Sequence, residues 1–225
     1  MKQREKTNKT GRTYAGLNSK ERTSQRRQRF LAAGLKLFGT HGFRNATVRK
    51  LCKEAQLTDR YFYESFSNLE CVLMEVYEGC MKNLKNNILN AISLEYKKHG
   101  TEQAIKAGLE AYFKELENPQ VARICMVELE GISSEVNSLY YSYIDDFAAM
   151  LIDLAKYAYP NWTLNAEQQE IISISLIGAM RQTATNWLVN DYKISRDSLV
   201  FATSQLFISF MHSIEEKFLI TDKLQ

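Results

Sequence analysis

The sequence predicts an all-α fold of about nine helices. Its 225 residues include only two prolines and ten glycines, the residues least compatible with helix interiors. We find no convincing alternating run of Val, Ile and Thr that would indicate a strand. At this length the chain can form one sizeable core or two modest domains.

Residues 47–66 are the most informative stretch, because they predict two short helices joined by a tight turn. Thr47 precedes the first helix, where its hydroxyl can accept a hydrogen bond from a free backbone N–H. The apolar residues of this helix have the i, i+3, i+4, i+7 spacing of an amphipathic helix; they are Val48, Leu51, Cys52 and Ala55. The opposite face of this helix is basic, with Arg49, Lys50 and Lys53.

The second helix is predicted to begin at Asp59, with Thr58 as its cap. Phe62 and Phe66 share one face, which we assign to the core. The remaining face carries Arg60, Tyr61, Tyr63 and Glu64. This arrangement is typical of a helix-turn-helix: a short basic helix, a turn, and a second helix rich in hydrogen-bond donors and aromatic rings.

Residues 24–78 resemble the N-terminal domain of the TetR family of transcriptional regulators. The resemblance is carried by Phe38-Gly-Thr-His-Gly42-Phe43 after a first helix over 24–39, by Ala46-Thr47-Val48, and by Tyr61-Phe-Tyr-Glu-Ser-Phe66. It implies a helix-turn-helix DNA-binding domain, which we place at 21–67, followed by a helical ligand-binding and dimerisation domain at 68–225. It also implies a homodimer on a palindromic operator in double-stranded DNA.

Charge is unevenly distributed along the chain. Residues 1–66 contain 16 Lys and Arg against 5 Asp and Glu (net +11), and residues 67–225 contain 13 against 21 (net −8). A basic end on an acidic body indicates binding to a polyanion. Residues 1–20 are predicted to form a flexible basic arm. Its Arg12 either reaches the DNA minor groove or belongs to an unattached, solvated tail.

The DNA contacts are predicted mainly on the second helix. Arg60 can donate two hydrogen bonds to guanine, and an exposed ion pair with Glu64 is its alternative role. The tyrosines can reach a phosphate or a thymine methyl, and the basic residues can hold phosphates. The predicted contact set is Thr47, Arg49, Lys50, Thr58, Asp59, Arg60, Tyr61, Tyr63, Glu64 and Arg12. Gln56 occupies a turn position where the family usually has glycine, so a left-handed backbone there would be mildly strained.

A long helix to about Tyr96 is predicted to link the two domains, opened by a capping box of Ser67 and Glu70. Asn118 and Pro119 predict a cap and a first-turn proline. Further helices are expected at 101–116, 119–130, 134–158, 165–189 and 196–218.

The last two helices are apolar on more than one side, whereas a surface helix of a monomer needs only one apolar stripe. In the final helix one stripe comprises Leu199, Thr203, Leu206 and Phe210, and the other comprises Val200, Phe207, Met211, Ile214 and Phe218. We therefore expect these helices to pack on the body and on a second subunit. The family resemblance implies the same, in a four-helix dimer interface.

Aromatic and apolar residues of the body are candidates to line a ligand cavity, although ordinary core is the better interpretation of any single one. The resemblance favours a cavity, since family members typically hold a small-molecule inducer here. The candidates are Tyr112, Phe113, Met126, Tyr140, Tyr143, Phe147, Met150, Arg181 and Trp187. Arg181 lies in an apolar run, where an unpaired charge is costly. Its partner is either a ligand carboxylate or phosphate, or an acidic residue across the dimer.

Several other classes of protein are disfavoured. No apolar window of about 18 residues predicts a transmembrane helix, and no apolar stretch follows the basic N-terminus as in a secretory signal, so a cytoplasmic location is expected. The scattered histidines offer no catalytic constellation or metal-ligand spacing, and we expect no enzyme, cofactor or metal. The four cysteines are best interpreted as buried small hydrophobes of a reduced protein, with a redox-sensing thiol as the alternative.

The sequence and the resemblance together predict a homodimeric transcriptional repressor that a small apolar or amphipathic inducer releases from DNA. One alternative is a regulator that responds to a protein partner or to cysteine oxidation. The other is a helical small-molecule-binding protein without operator binding.

Overall fold

The computed structural model describes residues 13–160 and 164–222, with side chains described over 20–160 and 164–213. Over these ranges the fold is all-α, as predicted. The helices are α1 (Thr13–His41), α2 (Val48–Ala55), α3 (Asp59–Ser65), α4 (Leu69–His99), α5 (Thr101–Leu116), α6 (Pro119–Met126), α7 (Ser134–Ala158), α8 (Ala166–Val189) and α9 (Arg196–Asp222). One 3-10 turn, Phe43–Asn45, lies between α1 and α2.

The first helix differs from its predicted bounds. α1 begins at Thr13, well before the predicted residue 24, so residues 13–20 of the expected arm are helical. Extending an existing helix fixes one residue for each added hydrogen bond, which costs far less than starting one. Arg12 lies outside the described residues, and so do the side chains of Ile214 and Phe218.

Local capping explains most of the helix boundaries. Thr47 accepts from the N–H of Lys50 at 3.2 Å, and Asn118 caps α6 ahead of Pro119; both were predicted. The cap of α4 is Asn68, which accepts from Cys71 N at 2.9 Å, so the predicted cap at Ser67 is wrong. An asparagine side chain reaches the N3 amide as readily as serine does.

The sixth helix is shorter than predicted. α6 ends at Met126 instead of residue 130. The N–H groups of Val127 and Glu128 both donate to the carbonyl of Arg123, at 3.0 and 3.1 Å, and this paired arrangement closes the helix. The chain then turns through Gly131, where φ is +76°.

The helix-turn-helix segment is docked on the body through α1 and α6. Gly39 of α1 allows this contact, because a Cβ there would lie 2.7 Å from the Cα of Gln120 in α6. Gln120 Nε2 also donates to Thr40 Oγ1 at 3.2 Å. Because α6 also packs among α4, α5 and α8, a shift of these body helices that displaces α6 would also displace α1.

Candidate nucleic-acid interface and ligand cavity

The second helix of the helix-turn-helix is fixed from behind by an aromatic cluster. The ring of Phe62 meets that of Phe30 edge-on at 5.7 Å, and Phe66 packs on Phe30 in the same way at 6.2 Å. Phe30 and Phe62 are fully buried. The predicted inward face of α3 is therefore confirmed, and its opposite face is held toward solvent.

The outward face of α3 carries two extended side chains. The Arg60 side chain is 84% exposed, and its Nε donates to Glu64 Oε1 at 3.0 Å, so the predicted alternative ion pair forms in the free protein. Such exposed pairs contribute roughly 0.2–0.5 kcal/mol, which DNA can readily displace. Tyr63 is 64% exposed. Tyr61 is less exposed, because the guanidinium of Arg26 lies over its ring, 4.2 Å from the ring centroid.

The residues around α2 surround this face. Arg49, Lys50, Thr58 and Asp59 are exposed. The ammonium of Lys50 donates to the carbonyl of Asn45 at 2.8 Å. Thr58 is the N-cap residue of α3 but makes no capping bond through its side chain. The predicted contact residues within the described chain thus lie on or beside the two helices of the motif.

Two arginines of α1 have structural partners that the sequence did not reveal. Arg29 donates to the carbonyls of Ala55 and Gln56, at 2.6 and 3.1 Å, which are C-terminal acceptors that α2 cannot pair itself. Arg27 donates to the carbonyl of Ser65 and pairs with Glu75. Part of the positive charge of the N-terminal region therefore holds the motif together. At the turn, Gln56 has φ +52°, the left-handed backbone that is mildly strained for a residue other than glycine.

A buried carboxylate joins the body to the turn that precedes α2. Glu128 Oε2 accepts from the backbone N–H of Phe43 at 2.6 Å, and Glu128 Oε1 accepts from Arg123 Nε at 2.6 Å. The Glu128 side chain is only 8% exposed. Gly42 has φ +81°, and a Cβ on it would lie 3.1 Å from Arg123 Nη2. Both the positive φ and the close approach of Arg123 therefore favour glycine at this position.

A cavity of about 500 Å³ lies among α4, α5, α7, α8 and α9. Its volume is within the usual range for small-molecule sites. The walls are mainly apolar, with Ile88, Ile105, Phe147, Met150, Leu176 and Phe207 among the lining residues. Of the predicted ligand residues, Phe147 and Met150 line this cavity.

A second, small cavity of about 40 Å³ holds most of the other candidates. It is lined by Tyr112, Met126, Tyr140, Tyr143, Phe147 and Arg181, among others. Phe113 lies in the packed core against Trp187 and lines none of these cavities. Trp187 borders a third cavity of about 290 Å³ near Ile194 and Leu199. The predicted candidates are therefore divided among separate cavities, a division that the sequence could not indicate.

Arg181 is the cation of the small cavity. Its Nη2 donates to the carbonyl of Met126 at 3.1 Å, and its guanidinium lies 4.8 Å from the ring centroid of Tyr140. Its Nε is buried and has no hydrogen-bond partner. Burial raises the pKa of the neighbouring Tyr112 phenol, which stays neutral at physiological pH. No ion pair to Arg181 occurs within the described part of the chain.

The last two helices expose apolar residues in one protomer. On α8, Ile171, Ile174 and Gly178 follow helical spacing. On α9, Phe201 is 68% and Leu206 is 52% exposed, and Ala202 lies beside them. We call these six residues the α8–α9 face. The predicted first stripe of α9 is not uniformly buried, because Leu199 and Thr203 lie in the core whereas Leu206 is exposed.

Among the described residues no group of His, Cys, Asp and Glu could hold a metal ion, and none of the helices could span a membrane. Cys52, Cys80 and Cys125 are buried, and Cys71 is half-buried.

The described fold places an exposed helix-turn-helix on a helical body that contains an apolar cavity, an arrangement typical of helical DNA-binding regulators. Residues 30–75 match the family model described as "Bacterial regulatory proteins, tetR family". The N-terminal domain is therefore of the tetR type, which confirms the resemblance. No curated protein matches the chain in sequence.

Solved structures of TetR-family regulators share this fold. A fatty acid degradation regulator, FadR, from Bacillus halodurans is 21% identical with a TM-score of 0.69, over 80% of this chain and 93% of that chain. A putative transcriptional regulator from Pseudomonas aeruginosa is 18% identical with a TM-score of 0.71, over 87% and 94%. FadR from Bacillus subtilis, in complex with stearoyl-CoA, is 17% identical with a TM-score of 0.66, over 81% and 97%. At these identities the likeness shows the fold alone.

Proposed function

We propose that this protein is a homodimeric transcriptional repressor that binds a palindromic operator. The observation that supports it best is α3, which is fixed from behind by buried phenylalanines while Arg60 and Tyr63 extend into solvent. In the dimer, two such helices enter successive major grooves roughly 34–36 Å apart. Arg60 reads a guanine edge, Tyr63 contacts a phosphate or a thymine methyl, and Arg49 and Lys50 hold phosphates.

The contact assignment predicts that Tyr63→Ala and Arg60→Ala each weaken operator binding by about 1–3 kcal/mol. Neither change should unfold the protein, because both side chains are largely exposed. The measurement is fluorescence anisotropy on a labelled operator at fixed salt. Lys82→Ala is the control, since it removes an exposed cation of α4 outside the motif. Wild-type affinity in both α3 variants would overturn the assignment.

The α8–α9 face forms the dimer interface. Four of its six residues are large and apolar, and each is at least 46% exposed in the protomer. Large apolar side chains exposed on neighbouring helices favour an interaction site. A second copy of this chain covers it with the same two helices, which gives a self-complementary, two-fold contact.

The dimer proposal predicts that Phe201→Glu shifts the protein toward monomer. Burying a charge in place of an aromatic anchor should cost about 2 kcal/mol or more of association free energy, and sedimentation equilibrium measures it. Leu94→Glu is the matched control, because Leu94 is 61% exposed on α4, away from this face. Equal dimer stability in the two variants would place the interface elsewhere.

A small apolar or amphipathic molecule in the large cavity controls the DNA affinity. The apolar walls support this, and so does the acyl thioester bound by the Bacillus subtilis FadR of the same fold. α4 runs from the helix-turn-helix to the cavity, and α6 touches α1. Release requires only that the ligand bind one arrangement of these helices better than the other, by a few kcal/mol. We place the protein in the cytoplasm, where its DNA would be.

A further inference from the structure

We propose that the ligand is an amphiphile with a free carboxylate, which is held by Arg181 in the small cavity while the apolar tail fills the large cavity. This inference rests on the proposed ligand-controlled function and names the chemistry of the ligand. It is carried by the arginine, the two adjoining cavities and the size of the smaller one.

Arg181 has unused capacity to bind an anion. A guanidinium carries five N–H donors. In the described structure Nη2 donates to the carbonyl oxygen of Met126, and the buried Nε has no hydrogen-bond acceptor. A buried guanidinium N–H without an acceptor is costly, and a carboxylate in this position would offset that cost with charge-assisted hydrogen bonds.

The surroundings of Arg181 favour a carboxylate over a larger head group. The cavity of about 40 Å³ corresponds to only a few water-sized sites, which suits a carboxylate but not a nucleotide. Tyr140 covers the guanidinium on one side. The phenols of Tyr112 and Tyr143 also line the cavity, and each neutral hydroxyl can donate to a second carboxylate oxygen.

The two cavities adjoin, so one molecule can occupy both. Phe147, Ile177 and Met180 line the large cavity and the small one. Met180 immediately precedes Arg181, and a methionine side chain readily changes conformation to fill or open a gap. A tail in the large cavity can therefore continue to a head group at Arg181 by displacement of these side chains.

A competing cation lies in the large cavity itself. Lys97 is among its lining residues but is exposed, so water already solvates its ammonium. A ligand with a bulky anionic head, such as a coenzyme A thioester, would place that head at Lys97. A head group at Arg181 predicts that the Arg181 variant loses the preference for a charged ligand, whereas a head group at Lys97 predicts this loss for the Lys97 variant.

The test is direct binding of dodecanoate and of dodecanol to the full chain, by isothermal titration calorimetry without DNA. Wild-type protein should bind dodecanoate about ten-fold or more tightly than dodecanol, as expected for charge-assisted hydrogen bonds. Arg181→Gln, which keeps a donor for Met126 O, should abolish that preference without loss of dodecanol binding. Lys97→Gln should keep the preference, and Arg181→Lys should restore part of it. Circular dichroism verifies that each variant is folded.

The remaining outcomes separate this inference from the function on which it rests. Equal binding of both probes by wild-type protein would overturn the carboxylate site but leave an apolar cavity that binds ligands. Loss of preference in Lys97→Gln but not in Arg181→Gln would place the head group at the other cation and overturn the assignment. No binding of either probe would overturn the ligand-binding cavity together with this inference.

Discussion

Phe62→Ala is expected to lower the free energy of unfolding by about 3–5 kcal/mol, the usual cost of truncating a fully buried phenylalanine. Phe62 is 0% exposed and packs edge-on against Phe30 and beside Phe66. Its removal leaves a void in a small core, because the buried rings of Phe30 and Phe66 are not free to move into the space. The cluster also holds α3 against α1, so DNA binding should be lost although Phe62 itself cannot touch DNA.

Urea unfolding followed by circular dichroism measures this change, and Tyr63→Ala on the same helix is its control. Tyr63 is mostly exposed but its ring meets Phe62 edge-on at 5.1 Å, so its truncation should lower the unfolding free energy by about 0.5–1.5 kcal/mol, well below the cost of Phe62→Ala. Phe62→Ala should therefore act mainly on stability, and Tyr63→Ala mainly on DNA contact. A cost below about 1 kcal/mol for Phe62→Ala would show that α3 is not held by this cluster.

Glu128→Ala is expected to lower the free energy of unfolding by about 2 kcal/mol. The change leaves the N–H of Phe43 without its acceptor, which costs roughly 1–3 kcal/mol when the group is buried. It also leaves Arg123 without its carboxylate, but the Arg123 side chain is 40% exposed, so water compensates much of that loss. We therefore expect a cost below the roughly 3–5 kcal/mol of a broken, fully buried ion pair.

Hydrogen exchange at the Phe43 amide gives a local readout of the same variant. The amide should exchange faster in Glu128→Ala, since its acceptor is gone. Glu78→Ala is the matched control, because it removes one carboxylate from an exposed pair with Lys82 and should cost at most about 0.5 kcal/mol. Unchanged exchange and stability in Glu128→Ala would contradict a role for this carboxylate in joining the body to the helix-turn-helix.

The position of Glu128 also suggests how the cavity and the motif communicate. Arg181 donates to the carbonyl of Met126 at the end of α6, and Glu128 follows two residues later. A ligand that draws Arg181 away from Met126 would disturb the segment that holds Phe43. The coupling would then pass through a few named hydrogen bonds as well as through α4.

Features set by short stretches of sequence could be predicted. Asn118 with Pro119 and Asn165 with Gln168 fix helix starts through local hydrogen bonds, and both starts were found to within a residue. The inward and outward faces of α3 followed from the spacing of Phe62 and Phe66. At Gln56 the sequence indicated only that a left-handed backbone would be mildly strained, because the family usually has glycine at this position.

Features set by distant contacts could not be predicted. The partner of Glu128 is a backbone N–H 85 residues away, and no local pattern indicates such a pair. Arg29 was counted with the basic charge, whereas it satisfies carbonyls of α2. Which residues of the α9 stripes are buried within one protomer could not be predicted, because apolar spacing alone does not distinguish a face covered by the same chain from an exposed one.

The most direct test of the central proposal is selection of binding sites from a random pool of double-stranded DNA, with unrelated DNA as competitor and at two salt concentrations. The account predicts enrichment of one palindromic sequence, with half-sites centred about 10 base pairs apart, by wild-type protein and not by Tyr63→Ala. Absence of any enriched sequence, with binding that competitor removes and higher salt abolishes, would show that only general phosphate contacts are made. That result would contradict a sequence-specific regulator.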